Sequence, residues 1–383
     1  MDKCWCDSRS LQPFGPGYGV CGTCGTLVSI DSLPVEQLAV TDDETDFYGK
    51  QYWLGHQQED LGFPDIVARS RNDLTERNLH WLGTLLKYRL PPARVMELGC
   101  AHGSFVALMS QAGFNASGME MSPWVVAFGE KTFGISVHLG PIEAVDLPAG
   151  GFDVIALMDV LEHLPDPLQT MRRCLELLSS EGVLLIQTPQ FREEMRHEAL
   201  LQSDAPFLKM LQADEHLYLF SERSVKALFK QLGAEHICFE PAIFAHYDMF
   251  MVVSRVPLRS HGRAEVEESL LSTPGGRLTL ALLDLREREE RLIRQLSESE
   301  TDRAERGQQI EILTRMVQAG EKDGTGLRQQ IEILNTWLKS CEEDRAARGA
   351  QIESLTQMVL AAQEDGASLR QQIDTLNKLL KSS

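Results

Sequence analysis

VMELGCAHGSF, residues 95–105, decides the fold. An apolar run reaches Leu98, a glycine turn follows, and an apolar stretch resumes at Phe105, as where a buried parallel strand feeds a helix through a tight turn. Such a turn offers backbone N–H groups and the positive end of a helix dipole, and its usual guest is phosphate. Two features argue against phosphate here. Glu97 sets a carboxylate at the entrance, and the dinucleotide pattern G-x-G-x-x-G would need glycine at 101 and 104, where the chain has Ala101 and Ser104. What remains is acidic-x-Gly-x-x-x-Gly, in which Gly99 and Gly103 let the backbone approach a ligand richer in positive charge and hydroxyls than in phosphate.

S-adenosylmethionine answers that description. Outward from the turn, the hydrophobic pattern predicts a strand at 94–99, a helix at 104–112, a strand at 116–120, a helix at 123–131 and strands at 135–139 and 152–158, which is the rhythm of an α/β parallel sheet. DPLQTMRRCLELLSSEG predicts a helix with Asp166 as N-cap, Pro167 in its first turn and Leu168, Met171, Leu175 and Leu178 on one face. GVLLIQTP follows as a buried strand. SERSVKALFKQLG repeats the logic: Ser221 caps, Val225, Leu228, Phe229 and Leu232 are buried, and Gly233 stops the helix. Strands near 236–240 and 248–254 would close the sheet. Before it lie a polar, aromatic-bearing segment, FYGKQYWLGHQQ, placed to cover a ligand, and a helix from about 65 to 88.

The chain has 383 residues, 43% of them hydrophobic, enough for two or three domains with a buried core. Its formal charge of −19 disfavours a bulk electrostatic grip on nucleic acid or anionic lipid. The acidity belongs mainly to the first 260 residues, because residues 261–383 carry 17 basic and 22 acidic side chains. No run of 18 apolar residues occurs, and MDKCWCDSRS lacks the apolar core of a secretion signal, so the expected location is cytoplasmic.

Cys4, Cys6, Cys21 and Cys24 cluster early, whereas Cys100, Cys174, Cys238 and Cys341 are scattered. CGTCG is the C-x-x-C knuckle that points two thiolates at one zinc ion. The first pair is spaced C-x-C, tighter than usual. Four thiolates on one zinc would hold a small segment together and leave no open position for chemistry; four free thiols are the alternative.

At the other end, residues 275–383 contain no proline and a single aromatic residue, Trp337. DRAERGQQIEILTRMV at 302 returns as DRAARGAQIESLTQMV at 344, and GLRQQIEILNTWL at 326 as SLRQQIDTLNKLL at 368, both offset by 42. The half-period of 21 is three heptads: Ile310, Ile331, Ile352 and Ile373 are each followed three residues on by Leu313, Leu334, Leu355 and Leu376. That places isoleucine at a and leucine at d of a coiled coil, with Gly324, Arg345 and Gly366 interrupting the a positions. A solvated single helix or a partly disordered tail are the alternatives to an oligomeric coil. The expected division is a zinc-ribbon-like segment at 1–40, a main domain at 41–256, a linker at 257–276 and the coil at 277–383.

VMELGCAHGSF, SGMEMSPWVV, GGFDVIALMDVLEHLPDP and GVLLIQTP, in that order, resemble the class I S-adenosylmethionine-dependent methyltransferases over roughly residues 45–255. The resemblance implies a Rossmann-like seven-stranded sheet. It further implies that Glu97, Gly99, Cys100 and Gly103 line the methionine end of the cofactor, Glu120 takes both ribose hydroxyls, Met121 packs beside the adenine, and Asp159 lies near the methionyl moiety.

Methyl transfer from a sulfonium requires alignment of the nucleophile and, for a hydroxyl, removal of its proton. His163, just past a strand's C-terminal end, and His216 are the candidate bases. Asp159, Glu162 and His163 also form acidic-x-x-Glu-His, similar to the metal-binding element of small-RNA 3′-terminal methyltransferases and some ubiquinone-pathway O-methyltransferases, although aspartate here replaces glutamate. That similarity implies a divalent metal with His216 as a further ligand. The cysteine segment, the aromatic stretch and the core together resemble enzymes that modify sugars, and the long coil resembles methyltransferases that end bacterial polysaccharide chains. The expected reaction is O-methylation of a carbohydrate. A small-metabolite or sugar C-methyltransferase, or a scaffold for glycan synthesis, are the alternatives. The expected partners are a carbohydrate or small-molecule acceptor, further copies of the chain through the coil, and glycosyltransferases of a membrane-associated glycan assembly complex.

Overall fold

The computed structural model describes residues 2–34, 40, 42–46, 48–56, 64–320 and 327–380. Gly324 and part of the FYGKQYWLGHQQ stretch lie outside them. The chain forms two compact units, Met1–Glu289 and Glu290–Ser383. In chain order the strands are β1 (Leu11–Gly15), β2 (Tyr18–Cys21), β3 (Leu27–Ser29), β4 (Arg94–Leu98), β5 (Asn115–Glu120), β6 (Val137–Leu139), β7 (Phe152–Met158), β8 (Leu178–Pro189), β9 (Tyr218–Leu219), β10 (His236–Glu240) and β11 (Asp248–Ser254). The helices are α1 (Ile66–Asp73), α2 (Leu79–Tyr88), α3 (Ser104–Ala112), α4 (Pro123–Phe133), α5 (Pro167–Leu177), α6 (His197–Gln202), α7 (Glu222–Gln231), α8 (Arg263–Leu270), α9 (Pro274–Gly320) and α10 (Leu327–Leu380).

The main sheet has seven strands in the order β10-β11-β8-β7-β4-β5-β6. From β8 to β6 the pairs are parallel, while β11 is antiparallel to both β8 and β10. The chain runs outward from β4 through β5 to β6 and then returns to place β7 on the other side of β4. Ligands of open α/β sheets bind outside the strand C-termini at such a reversal.

Alternation along the central strands splits the core in two. Met96, Leu98, Ile155, Leu157, Leu184 and Ile186 face α5 and α7, whereas Val95, Val154, Ala156, Val183 and Leu185 face α2 and α3. The caps are those the sequence asks for. Asp166 Oδ1 accepts from Gln169 N at 2.9 Å with Pro167 at the first position, and Ser221 and Ser224 cap each other's backbone. Val225, Leu228 and Phe229 of α7 are fully buried, each contributing roughly 1.5–3 kcal/mol of hydrophobic stabilisation. Boundaries differ from the pattern: α4 runs on to Phe133, β6 starts only at Val137, and α5 stops at Leu177, where Leu178, at φ −74° and ψ 140°, already begins β8.

A second sheet, β1-β2-β3-β9, is antiparallel and takes its last strand from the chain between β8 and α7. Residues 257–276, expected as a linker, include α8, whose Leu270 is fully buried and whose Ser269 Oγ donates to Pro91 O at 3.1 Å. In the second unit α9 and α10 lie antiparallel: Arg348 Nη2 is 3.1 Å from Asp302 Oδ2, and Arg306 pairs with Asp344. Ile310, Ile331, Ile352 and Ile373 stay 55%, 47%, 64% and 45% exposed. Among the described residues no helix is long and apolar enough to cross a membrane.

Candidate active site

β4 delivers Glu97 and the glycine turn to the reversal. Gly99 has φ 69°, and a Cβ there would come within 2.6 Å of Val160 Cγ2, so both backbone and space demand glycine. Gly99 N and Cys100 N donate to Met119 O at 2.9 and 3.0 Å, fastening the turn to β5. The Cys100 thiol is buried in the core under the turn, where burial and then Glu97 push it well up and leave it inert. Glu97 is buried, and its Oε2 has no hydrogen-bond partner. Burial first, and then the Glu120 carboxylate, hold its carboxyl well above the usual range. An unsatisfied buried acceptor of this kind fits a cationic or N–H-bearing guest.

Glu120 ends β5. Its Oε2 accepts from Ala101 N at 3.1 Å, and its Oε1 accepts from Met121 N at 2.7 Å and Ser122 N at 3.2 Å. Burial raises it, while these three N–H groups favour the ionised form. Met121 follows directly, at the entrance to α4. The turn is held from the other side by α1, where Asp73 Oδ2 lies 3.1 Å from His102 Nε2. Asp43 escaped the sequence reading. It accepts from Ser122 Oγ at 2.6 Å and Trp124 N at 2.8 Å, closing the N-terminus of α4 beside Glu120; within the acidic run DDETD nothing sets it apart from a solvated carboxylate.

Past β7, Asp159 takes a left-handed conformation at φ 58°. Its Oδ1 accepts from Gln187 Nε2 at 3.0 Å, and its Oδ2 lies 3.5 Å from Arg77 Nη1. It therefore stands apart from the set that does converge: Glu162, His163 and His216, whose ligand atoms lie within 4.8 Å of one another. His163 Nδ1 is 2.9 Å from Glu215 O, and His216 Nδ1 is 2.7 Å from Met210 O. A carbonyl only accepts, so each Nδ1 carries the proton and each Nε2 keeps its lone pair. The rings are 4.9 Å apart. Burial, then His216, depress His163 to about 3, and burial depresses His216. Glu162 Oε2 accepts from Thr188 Oγ1 at 2.8 Å, while its buried Oε1 has no partner. Burial and then Asp159 push this carboxyl well up.

The aromatic stretch reaches this set, as the Tyr48 hydroxyl lies 3.1 Å from His163 Nδ1 and the Tyr52 hydroxyl donates to Glu215 Oε2 at 3.1 Å. The sequence marked the stretch but not its partners. Asp248, at the start of β11, is pushed up to about 8 by burial and then by Asp159; it too went unnoticed, because its role depends on a strand far along the chain.

The four early cysteines come together. Cys4 and Cys24 Sγ are 3.5 Å apart, Cys6 and Cys21 Sγ are 3.6 Å apart, and all four sulfurs lie within 4.8 Å of one another. Zinc–sulfur bonds of about 2.3 Å in a tetrahedron imply sulfurs about 3.8 Å apart, so the set fits that ion. The tight C-x-C spacing works because Asp7, at φ 62°, folds back to donate its N–H to Cys4 O at 2.9 Å. A hydrogen bond with Cys4 pulls the Cys24 thiol down to about 5.

Residues 70–238 match a family model described as a methyltransferase domain. The ubiquinone biosynthesis O-methyltransferase of Xanthomonas campestris pv. campestris (strain B100) is 32% identical over 106 residues, 26% of this chain and 44% of the relative. That of Ralstonia nicotianae is 28% identical over 131 residues, 33% and 54% of the two chains. The chain thus spans about half the length of these curated relatives. Solved structures that match part of the chain include an S-adenosylmethionine-dependent methyltransferase from Mesorhizobium loti (15% identity, TM-score 0.36, covering 46% of this chain and 98% of that one). Another is magnesium protoporphyrin IX methyltransferase from Synechocystis PCC 6803 with bound SAH (15% identity, TM-score 0.36, covering 51% and 90%).

Proposed function

We propose that this chain, which carries a methyltransferase domain at residues 70–238, moves the methyl group of S-adenosylmethionine to a hydroxyl of a carbohydrate. One observation carries the reading: Glu97, near the C-terminal end of β4, has a buried Oε2 without a hydrogen-bond partner, and the adjacent strand β7 leads into Glu162 and His163 of a Glu–His–His set with two free imidazole lone pairs. Glu97 would face the charged methionyl end of the donor, with the Gly99–Gly103 turn and Asp159 alongside. Glu120 would take the ribose hydroxyls and Met121 the adenine edge. Metal ligation needs neutral imidazoles, and both histidines are depressed. A base near 3 takes up a proton poorly at neutral pH, so His163 and His216 serve better as ligands than as general bases. Glu162, His163 and His216 would hold a divalent cation, which when bound lowers the pKa of a hydroxyl.

Around this centre the reading extends to a structural zinc held by Cys4, Cys6, Cys21 and Cys24. It also assigns the exposed isoleucine seam of 277–383 to pairing with further copies of the chain, near glycosyltransferases. The name of the curated relatives favours a second acceptor, a phenol, and Tyr48 and Tyr52 would pack on either kind of ring. To test the reading, purified chain receives labelled donor with pools of glycans and phenols, with and without chelator. Chelator-sensitive label on a glycan hydroxyl is the expected result. Label confined to phenols replaces the substrate class, and absence of saturable donor binding leaves only a scaffold.

A further inference from the structure

His216 is the member of the Glu–His–His set that does not come from the β7 turn, and its backbone is held by the small sheet. Its carbonyl accepts the buried Tyr18 hydroxyl at 3.0 Å. The next residue, Leu217, donates its N–H to Glu162 O at 2.8 Å and accepts from Ser29 N at 2.9 Å. Tyr218 and Leu219 then pair with Val28 and Leu27, while Tyr18 pairs with Ser29 inside the same sheet. His216 is thus clamped between Glu162 and a sheet whose β2 ends in Cys21 and whose next turn carries Cys24. The strands of that sheet are 5, 4, 3 and 2 residues long. Such short rungs hold register weakly by themselves, and a metal on four thiolates would be the staple that fixes them. Trp5 ties the staple to the sheet, its indole N–H donating to Thr26 Oγ1 at 2.8 Å.

We propose that the four-cysteine metal, acting through β3 and the Tyr18 hydroxyl, sets the position of His216 and so the divalent-ion affinity of the Glu–His–His set. Tyr18 is then a positioning residue in a chain of contacts from one metal to the other, an inference that rests on reading Glu162, His163 and His216 as a divalent-ion site.

The test uses the full chain with its cysteine metal in place. Tyr18→Phe removes one hydroxyl and keeps the buried ring. Manganese(II) titration followed by paramagnetic resonance should show affinity weakened about tenfold, the lower end of what loss of an outer-shell partner costs, while S-adenosylmethionine affinity by calorimetry stays unchanged. Equal manganese affinity in Tyr18→Phe and the native chain overturns the proposal. If the native manganese site survives His163→Ala, the divalent-ion reading itself has failed. The coupling is then decided by the imidazole nitrogen resonances of His216, assigned by their loss in His216→Ala. Their shift on extracting the cysteine-bound metal supports the clamp, and unmoved resonances overturn it.

Discussion

Among the described residues, two clusters of side chains able to hold a metal sit in one compact unit, and they differ in closure. The cysteine cluster brings four sulfurs together from two knuckles, so a tetrahedral ion there has all its positions filled by protein. The Glu162–His163–His216 cluster offers three protein ligands, one fewer than a tetrahedral ion takes, so a fourth position would fall to an oxygen from elsewhere. Closed sets hold structure and open ones serve chemistry, so removing a ligand should cost mainly stability at the first and mainly turnover at the second.

The largest effect should come from the open set. Lewis-acid assistance is worth several kcal/mol, so His216→Ala should lower turnover by about three powers of ten with donor binding intact, read by single-turnover methyl transfer. A tenfold change or less would erase the contrast between the clusters. Next, Cys24→Ser should lower the thermal midpoint by at least about 5 °C, at roughly 2–4 °C per kcal/mol for a unit of this size, with the residual folded protein keeping its donor affinity. An unchanged midpoint in calorimetric scans would mean the thiols hold nothing.

A third change separates both clusters from the proposed donor pocket. Glu120→Gln replaces a carboxylate that accepts three N–H groups, and donor affinity should fall by about 10- to 100-fold, while manganese binding stays. Loss of both together would merge the two sites into one. The fourth concerns pH. Burial depresses His102, and its bond with Asp73 only partly opposes this; Asp73, raised by burial, is brought net below its usual value by His102 and Arg69. The unfolded chain therefore binds a proton at His102 below about 6.5, and one at Asp73 below about 4, that the folded chain refuses. Stability should fall as pH drops through each window, and His102→Asn should flatten the first step in thermal scans between pH 7 and 5. A slope unchanged by the substitution would remove His102 as its source. Smallest of all, Gly366→Ala within α10 should stabilise the second unit by about 1 kcal/mol or less and leave both clusters untouched, as read by helix melting and activity.

Local chemistry was legible in the sequence. The Gly99–Gly103 turn, the caps at Asp166 and Ser221, and the C-x-x-C knuckle each depend on residues a few positions apart, and strand alternation reports burial directly. The Leu178 boundary was not legible, since an apolar residue ending a helical stripe looks the same whether it closes the helix or opens the strand. Pairings across the chain were also hidden. Tyr18 lies 198 residues from His216 and Tyr52 lies 163 from Glu215, separations at which no periodicity links two side chains. His216 stood out as a candidate ligand only through resemblance, and Asp43 and Asp248 not at all, because their environments are made by folding.

If Glu97 faces the donor's sulfonium as proposed, its unpartnered Oε2 would make capture of the donor an exchange of cations. Without a positive neighbour, this carboxyl keeps its proton to a higher pH than carboxylates ordinarily do. Beside a sulfonium it would ionise, and the hydrogen ion would leave for the buffer. The heat of capture should then vary with the buffer's ionisation enthalpy. Because the spent thioether has lost the sulfonium charge, alkaline conditions should favour fresh donor over by-product and ease product inhibition.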